Sequence, residues 1–331
     1  MANTTTYGDI TPRTAAYVVV ELLKRAMPYL CLEKFGQAKS LPANSTQSMT
    51  FRRYNALSTA STRLTEGVTP PGKKLTKSDV SVTLYQDGDF VEITDIVADT
   101  HEDAVQHEAM QIIAEQAAKV VEINRYDILK ACSNVFYANS VAGRTSVVAV
   151  ISRADQRKIV RALERQEAKH ITSIVKSTPS FNTESILPAY VAVTHVDLTS
   201  DIRGMTGFTS VADYGNISAW ETEIGACEDV RYLKSTIFTP YEDGGSATTT
   251  GKITTAGTGC DVYPVMYFGR DAYGIVALKG KFAITPMVLN PGTPRGGDPL
   301  GQRGSVAWKT MQGTVILNDA WMAVYECACT D

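Results

Sequence analysis

The chain has 331 residues, 44% of them hydrophobic, enough for one large or two ordinary domains with real cores. Its formal net charge of -3, from 32 Lys+Arg against 35 Asp+Glu, argues against a dedicated nucleic-acid binder, which carries a clear basic excess. No apolar run approaches the ~20 residues needed to span a bilayer, and "MANTTTYGDITPRTAAYVVV" has no basic segment followed by an apolar core, so neither a membrane span nor a secretory leader is expected.

Residues 1–46 read as an arm. Thr11-Pro12 pairs a capping hydroxyl with a proline suited to the first helical position, and a helix is expected from there to Pro28. From Ser48 the pattern changes to alternation, in "SMTFRRYN", "VSVTLY" and "FVEITDI", the period of half-buried strands. Between them "LTEGVTPPGKKLTKSD" holds Pro70-Pro71-Gly72, which forbids regular pairing and marks a loop tip. A hairpin with arms of about fifteen residues, up to ~50 Å long, is therefore predicted over residues 47–98. It has no helix in its own sequence to lie on, so its apolar partner is expected on another molecule. Lys73 and Lys74 at its tip suit either an acidic patch of a neighbouring subunit, the reading favoured because the hairpin must dock somewhere, or simply a soluble tip.

Thr100 opens the longest helical signal. Val105, Ala109, Ile112, Ile113, Ala117, Val120, Asn124, Ile128, Cys132 and Val135 keep three-four spacing, which predicts a helix to about Tyr137, roughly 55 Å long. Ser152 and Asp155 start a second helix, "SRADQRKIVRALERQEAK", whose mixed charges mark a solvated face. The strand "AYVAVTHV" with its short helix, and the strands "DVRYLKST", "YPVMYFG" and "YGIVAL", predict an α+β unit over residues 148–289. It is interrupted by an exposed, mobile loop, "DGGSATTTGKITTAGTG". The terminal segments "VAWKTMQGTVIL" and "AWMAVYECA", flanking Asn318-Asp319, are expected to pair antiparallel against the long helix.

Candidate chemistry is sparse. The cysteines (Cys31, Cys132, Cys227, Cys260, Cys327, Cys329) lack a CxxC pair and read as buried reduced thiols; with four scattered histidines, no metal site and no cofactor are expected. Gly296 and Gly301 have the separation of a phosphate loop, but Gln302-Arg303 stands where the lysine and hydroxyl belong. Gly251-Lys252 has the lysine, but Ser246 and Ile253 replace the first glycine and the hydroxyl. His107-Glu108 begins a zinc-protease pattern that Gln111 breaks, and the His195–Asp197 pair has no designated nucleophile. The stretch "NPGTPRGGDPLGQRGSVAWKT" is instead predicted to be a glycine-built domain crossover. Gly296, Gly297, Gly301 and Gly304 would supply positive φ angles or close approaches, leaving Arg295 and Arg303 free for contacts between subunits.

Arm, hairpin, long helix, compact inserted unit and strand return are the parts of an assembly subunit. In that order the chain resembles the major capsid protein of tailed bacteriophages, closest to the capsid family that includes the N-four phage. The resemblance rests on "LTEGVTPPGKKLTKSDVSVTLYQDGDFVEITD", "AYVAVTHVDLTSDIRGM", "EIGACEDVRYLKST" and, above all, "DPLGQRGSVAWKTMQGTVILNDAWMAVYE". It implies an α+β, HK-ninety-seven-type fold. Residues 1–46 would be the N-terminal arm, 47–98 the extended loop, 99–147 a peripheral domain with the spine helix, 148–289 the axial domain, and 290–331 the crossover and peripheral strands. It implies no enzyme. It implies hexamers and pentamers in an icosahedral shell that encloses double-stranded DNA without sequence-specific binding, in a virion assembled in the host bacterial cytoplasm. It further implies a separate scaffolding protein (the arm is too short for a scaffolding extension), a portal and decoration proteins, and no membrane. Nothing marks a lysine–asparagine cross-link. Two rival readings are a nanocompartment shell of the same fold holding an enzyme cargo, and a nucleotide-dependent enzyme using the glycine loops.

Overall fold

The computed structural model describes residues 30–331 except 61–62, 101–104, 176–182, 216, 248–250, 279–283, 293 and 295. The helix expected over residues 11–28 therefore lies outside the described residues, as does Arg295.

The five-stranded sheet is built on β14 (Arg303–Ile316). One edge of β14 carries β13 (Thr285–Leu289) and then β12 (Tyr273–Leu278), both antiparallel; β1 (Gln37–Leu41) extends β12 in parallel. The other edge carries β4 (Tyr85–Thr94) over ten rungs, from Arg303↔Thr94 to Gln312↔Tyr85. β2 (Ser48–Tyr54) and β3 (Lys77–Thr83) form a separate two-stranded ladder just before β4.

The long helix, α2 (Val105–Lys130), follows the one-turn α1 (Asp95–Thr100) and lies on one face of this sheet. Ile113 and Ala117 pack there against Ile93, Val306 and Trp308, the residues whose alternation aims them at the helix. The helix ends at Lys130, seven residues before the sequence pattern suggested, and at ~1.5 Å per residue it spans about 39 Å rather than 55 Å. The shortfall has a tertiary cause. Asn134 Nδ2 donates to the Met322 carbonyl at 2.9 Å, and β5 (Val135–Tyr137) then joins β15 (Met322–Ala328) in parallel. The buried stripe is also rotated by about one residue from the predicted one: Ala114, Ala117, Ala118, Val121, Tyr126 and Leu129 are buried, while Ile112 is exposed.

The eight-stranded sheet runs β5, β15 (Met322–Ala328), β11 (Val262–Phe268), β7 (Thr183–His195), β10 (Val230–Ser235), β9 (Glu223–Cys227), β8 (Phe208–Ser210), with β6 (Ile171–Val175) beside β7. Both faces are covered. α3 (Arg153–Arg165) and α4 (Thr199–Arg203) bury Tyr190, Tyr232, Tyr267 and Tyr325 on one side. The end of α2, with residues 31–35, buries Val193, Met266, Phe268 and Val324 on the other. That is why β11 and β15 are buried at every position and read as continuous apolar runs.

Three expectations fail here. β14 and β15 do not pair with each other: β14 lies under α2, and β15 crosses into the other sheet. β12 and β13, inside the expected 148–289 unit, belong to the β14 sheet. The loop expected to be mobile is tethered in its described residues, 248–250 lying outside them: Asp261 accepts from Asp243 N at 2.8 Å and from Thr255 Oγ1 at 2.7 Å, and Ser246 N donates to the Val147 carbonyl. Ser152 caps α3 as expected, accepting from Asp155 N at 3.2 Å.

A buried charge cluster joins three segments. Glu122, wholly buried in α2, accepts from the backbone N–H groups of Cys31 (2.8 Å) and Leu32 (2.7 Å). Arg125, one turn on, donates from Nη2 to Gln312 Oε1 of β14 at 2.9 Å and lies 3.4 Å from Glu33. Tyr273 adds a hydrogen bond from its hydroxyl to the Leu32 carbonyl. Burial pushes the Glu122 carboxyl up to about 7, against the opposing pull of Arg125 and the two N–H donors. A folded-state value above the ordinary one stabilises the fold at low pH, and that contribution is lost as pH rises through about 7. Comparing wild type with Glu122→Gln, which mimics the protonated acid, we expect similar urea midpoints near pH 5. Near pH 8 the variant should gain relative to wild type. A difference independent of pH would contradict this linkage.

Candidate assembly surfaces

The β2–β3 ladder runs seven rungs, from Ser48↔Thr83 to Tyr54↔Lys77, and Asn55 N still bonds the Thr76 carbonyl at 2.9 Å. Arg52 donates from Nε to Asp79 Oδ1 at 2.8 Å across it, and this hydrogen bond and Lys77 hold the Asp79 carboxyl down to about 2. The root of the hairpin has support within the chain, contrary to expectation. The Phe51 ring lies where a Gly274 side chain would stand, and Val82 and Leu84 are buried with Leu41 and Val276. The predicted fifteen-residue arms are thus half that length.

Beyond Asn55 and Thr76 no strand forms among the described residues. Pro70, Pro71, Gly72, Lys73 and Lys74 are all exposed in this loop. So are Leu57, Leu64, Val68 and Leu75, the least covered being Leu64 at 75%. Within the subunit Lys73 Nζ donates to the carbonyls of Ser58 (2.6 Å) and Ala60 (2.8 Å), bracing the two sides of its own loop.

The glycine-rich stretch joins β13 to β14, antiparallel neighbours in register from Thr285↔Lys309 to Leu289↔Ser305. It is a hairpin bend within one sheet and not the predicted crossover between domains. The reason is that β13 returns directly beside β14, so the chain never leaves the sheet. Gly297 (φ 101°) and Gly301 (φ 66°) hold left-handed backbone, and Gly304 lies so close to Pro291 and the Leu289 carbonyl that no side chain fits. Gly296 has neither constraint. Asp298 organises the bend, accepting from Arg303 N at 2.8 Å and Gln302 N at 3.2 Å. Arg303, expected to be free, donates from Nη2 to the Gly297 carbonyl at 2.9 Å.

The other candidates fall into structural roles. His195 Nδ1 lies 3.0 Å from Asp197 Oδ2, which also accepts from the Tyr263 hydroxyl at 2.7 Å, a closed strand-end network. On α3, Arg157 pairs with Glu228 and Lys158 with Asp155. All six thiols are free and buried, and desolvation raises the Cys31 thiol to about 12, which keeps it protonated and inert. Among the described residues no group of three His, Cys, Asp or Glu side chains could hold a metal. Sequence reading missed the Glu122–Arg125 cluster. Its one visible signal is a charged pair three residues apart inside an otherwise apolar helical stripe.

No protein-family model matches the sequence, and no curated protein matches it. Solved structures do match. The chain is similar to the capsid of Ralstonia phage GP4 (13% identity, TM-score 0.68), over 89% of this chain and 87% of that one. It is similar to a chain of the capsid asymmetric unit of cyanophage Pam1 (14%, 0.60), over 91% of both. It also matches the acid-stable capsid of Helicobacter pylori bacteriophage KHP30 (9%, 0.59), over 88% and 87%. The α+β phage capsid fold expected from the sequence is the fold found.

The glycine geometry separates positions that the sequence treats alike. Gly301→Ala should cost about 1 kcal/mol, seen as a lower melting temperature, because L-residues resist left-handed backbone. Gly296→Ala should leave the melting temperature unchanged.

Proposed function

We propose that the chain is the major capsid protein of a tailed bacteriophage, a structural subunit without enzymatic activity that assembles into an icosahedral head around double-stranded DNA. The observation that carries the reading is the match of nearly the whole chain to three phage capsid structures, with similar coverage of the chain on each side. The subunit's own surface supports it: a hairpin loop with four exposed large apolar side chains is the feature of a chain that finishes burying its surface in an assembly.

In this reading the residue 47–98 hairpin is the extended loop and lies on an adjacent subunit. α2 is the spine of the peripheral domain, and the α3-covered part of the eight-stranded sheet is the axial domain at the capsomer centre. Hexamers and pentamers form in the host bacterial cytoplasm with a separate scaffolding protein, a portal and decoration proteins. The near-balanced charge suits an inner surface that contains DNA without gripping it.

The test replaces residues 56–75 with an Asn-Gly turn, which keeps the ladder and its Asn55–Thr76 bond. The subunit should fold, with circular dichroism and melting temperature close to wild type, yet form no closed shells in negative-stain electron microscopy; normal shells would overturn the reading. Nuclease-protected DNA inside wild-type particles from infected cells separates a capsid from an enzyme-loaded compartment of the same fold.

A further inference from the structure

A cavity of about 330 Å³ opens at the root of the hairpin, between α2 and the β4–β14 ladder. Tyr85 and Ile128 form its apolar side, Asp87 and Asp127 line it with carboxylates, and Gln312 and Arg125 belong to its inner wall. Tyr85 is 66% exposed, so its ring is available to a visitor.

The electrostatics of this cavity favour a cation. Arg125 is the one cationic lining residue; it is buried and held by Glu33 at 3.4 Å and Glu122 at 3.8 Å. Asp87 takes its hydrogen bond from a neutral amide, Asn124 Nδ2, at 3.1 Å. Lys130, one turn beyond Asp127, lies with its ammonium 4.0 Å from the Tyr241 ring. Lys130 also interacts with Asp127, yet Asp87, Asp127 and Glu33 against Arg125 and Lys130 leave the cluster net negative even with Glu122 protonated. A long cationic side chain suits such a place: its methylenes lie along Ile128 and the Tyr85 ring while its charged end meets the carboxylates.

We infer that this cavity is the socket for Lys74 at the hairpin tip of a second copy of the chain. The inference rests on the shell reading above and names the acceptor of its hairpin contact. Lys74 is exposed, and next to it Leu75 is 64% exposed and suited to the apolar rim. Lys73 is not the donor, because its ammonium braces its own loop. The same subunit cannot fill its own socket. Thr83 and Tyr85 stand at the root, and six strand steps to Lys77 place the tip about 20 Å away along the ladder, with Lys74 beyond that. A tip-to-root contact is head-to-tail, the kind that propagates from copy to copy and closes into rings.

The test is a disulfide. Because the six native thiols are buried, Lys74→Cys with Asp127→Cys in the full chain gives a clean background. Assembled shells of the double variant, mildly oxidised, should run as a ladder of covalent multimers on a non-reducing gel, and each single variant as monomer. Shells of the double variant that stay monomeric on the gel overturn the socket and leave the shell reading intact. Wild-type protein that forms no shells under any assembly condition overturns the shell reading and the socket with it. Independently, Lys74→Glu should reduce shell yield at least tenfold and Asp127→Lys should restore it in the same chain; a Lys74→Glu protein that assembles like wild type overturns the socket.

Discussion

The carboxylate of Glu122 is the point on which the separate parts of the molecule converge. It ends the backbone of residues 31 and 32 on the long helix, while Arg125, on the next turn, ends the helix on β14 through Gln312. Burying such a pair is expensive, and apolar replacements of equal volume often stabilise a fold more. What the pair supplies here is alignment. Trp308 Nε1 reaches Gln116 Oε1, and Gln312 Oε1 meets Arg125. Nine helical residues advance about 13.5 Å and four strand residues about 13 Å. The two contacts therefore match only when helix and strand run side by side in one register, which an apolar seam alone would leave free to slide.

The two sheets differ in how far their burial is completed within the subunit. The eight-stranded sheet is covered on both faces, and its polar intruders, Arg231 Nη1 of β10 excepted, are mostly satisfied. Glu326 in β15, for example, receives Arg144 through two bonds of 2.7 Å. The β14 sheet has α2 on one face only. Across its other face Phe90, Ala307 and Met287 stand in one cross-strand row, with Phe90 60% and Met287 45% exposed. The exposed hairpin loop belongs to the same half of the molecule. One half is thus a finished core and the other an unfinished surface, a division that suits a subunit whose folding is completed by neighbours.

Elements with a strict period were legible in the sequence: the ladder strands, the Ser152-capped helix and the strand that runs through Tyr190 into α4. Pairing was not. "AWMAVYECA" shows a strand, and its lack of alternation shows two-sided burial, but nothing in it says which sheet it enters. The end of α2 was invisible for a similar reason. Residues 131–134 hold no proline or glycine, and the helix stops because Asn134 and β5 are captured by β15, nearly two hundred positions away. The glycines of residues 296–304 announced a bend, yet only the position of β13 shows that the bend is a hairpin.

The hairpin tip illustrates how local chemistry prepares a surface for association. A loop of twenty residues would lose much conformational freedom on docking, and its exposed side chains must overcome that loss. Pro70 and Pro71 fix two φ angles in advance, and Lys73 ties together carbonyls on the opposite side of the loop. Arg52, Asp79 and Lys77 stiffen the ladder beneath it with exposed, paired charges. Each device restricts the loop before it meets a partner, so less of the contact energy is spent on ordering. An apolar tip held out on a charged, braced stalk is therefore suited to association with another molecule and contributes little to the core of its own.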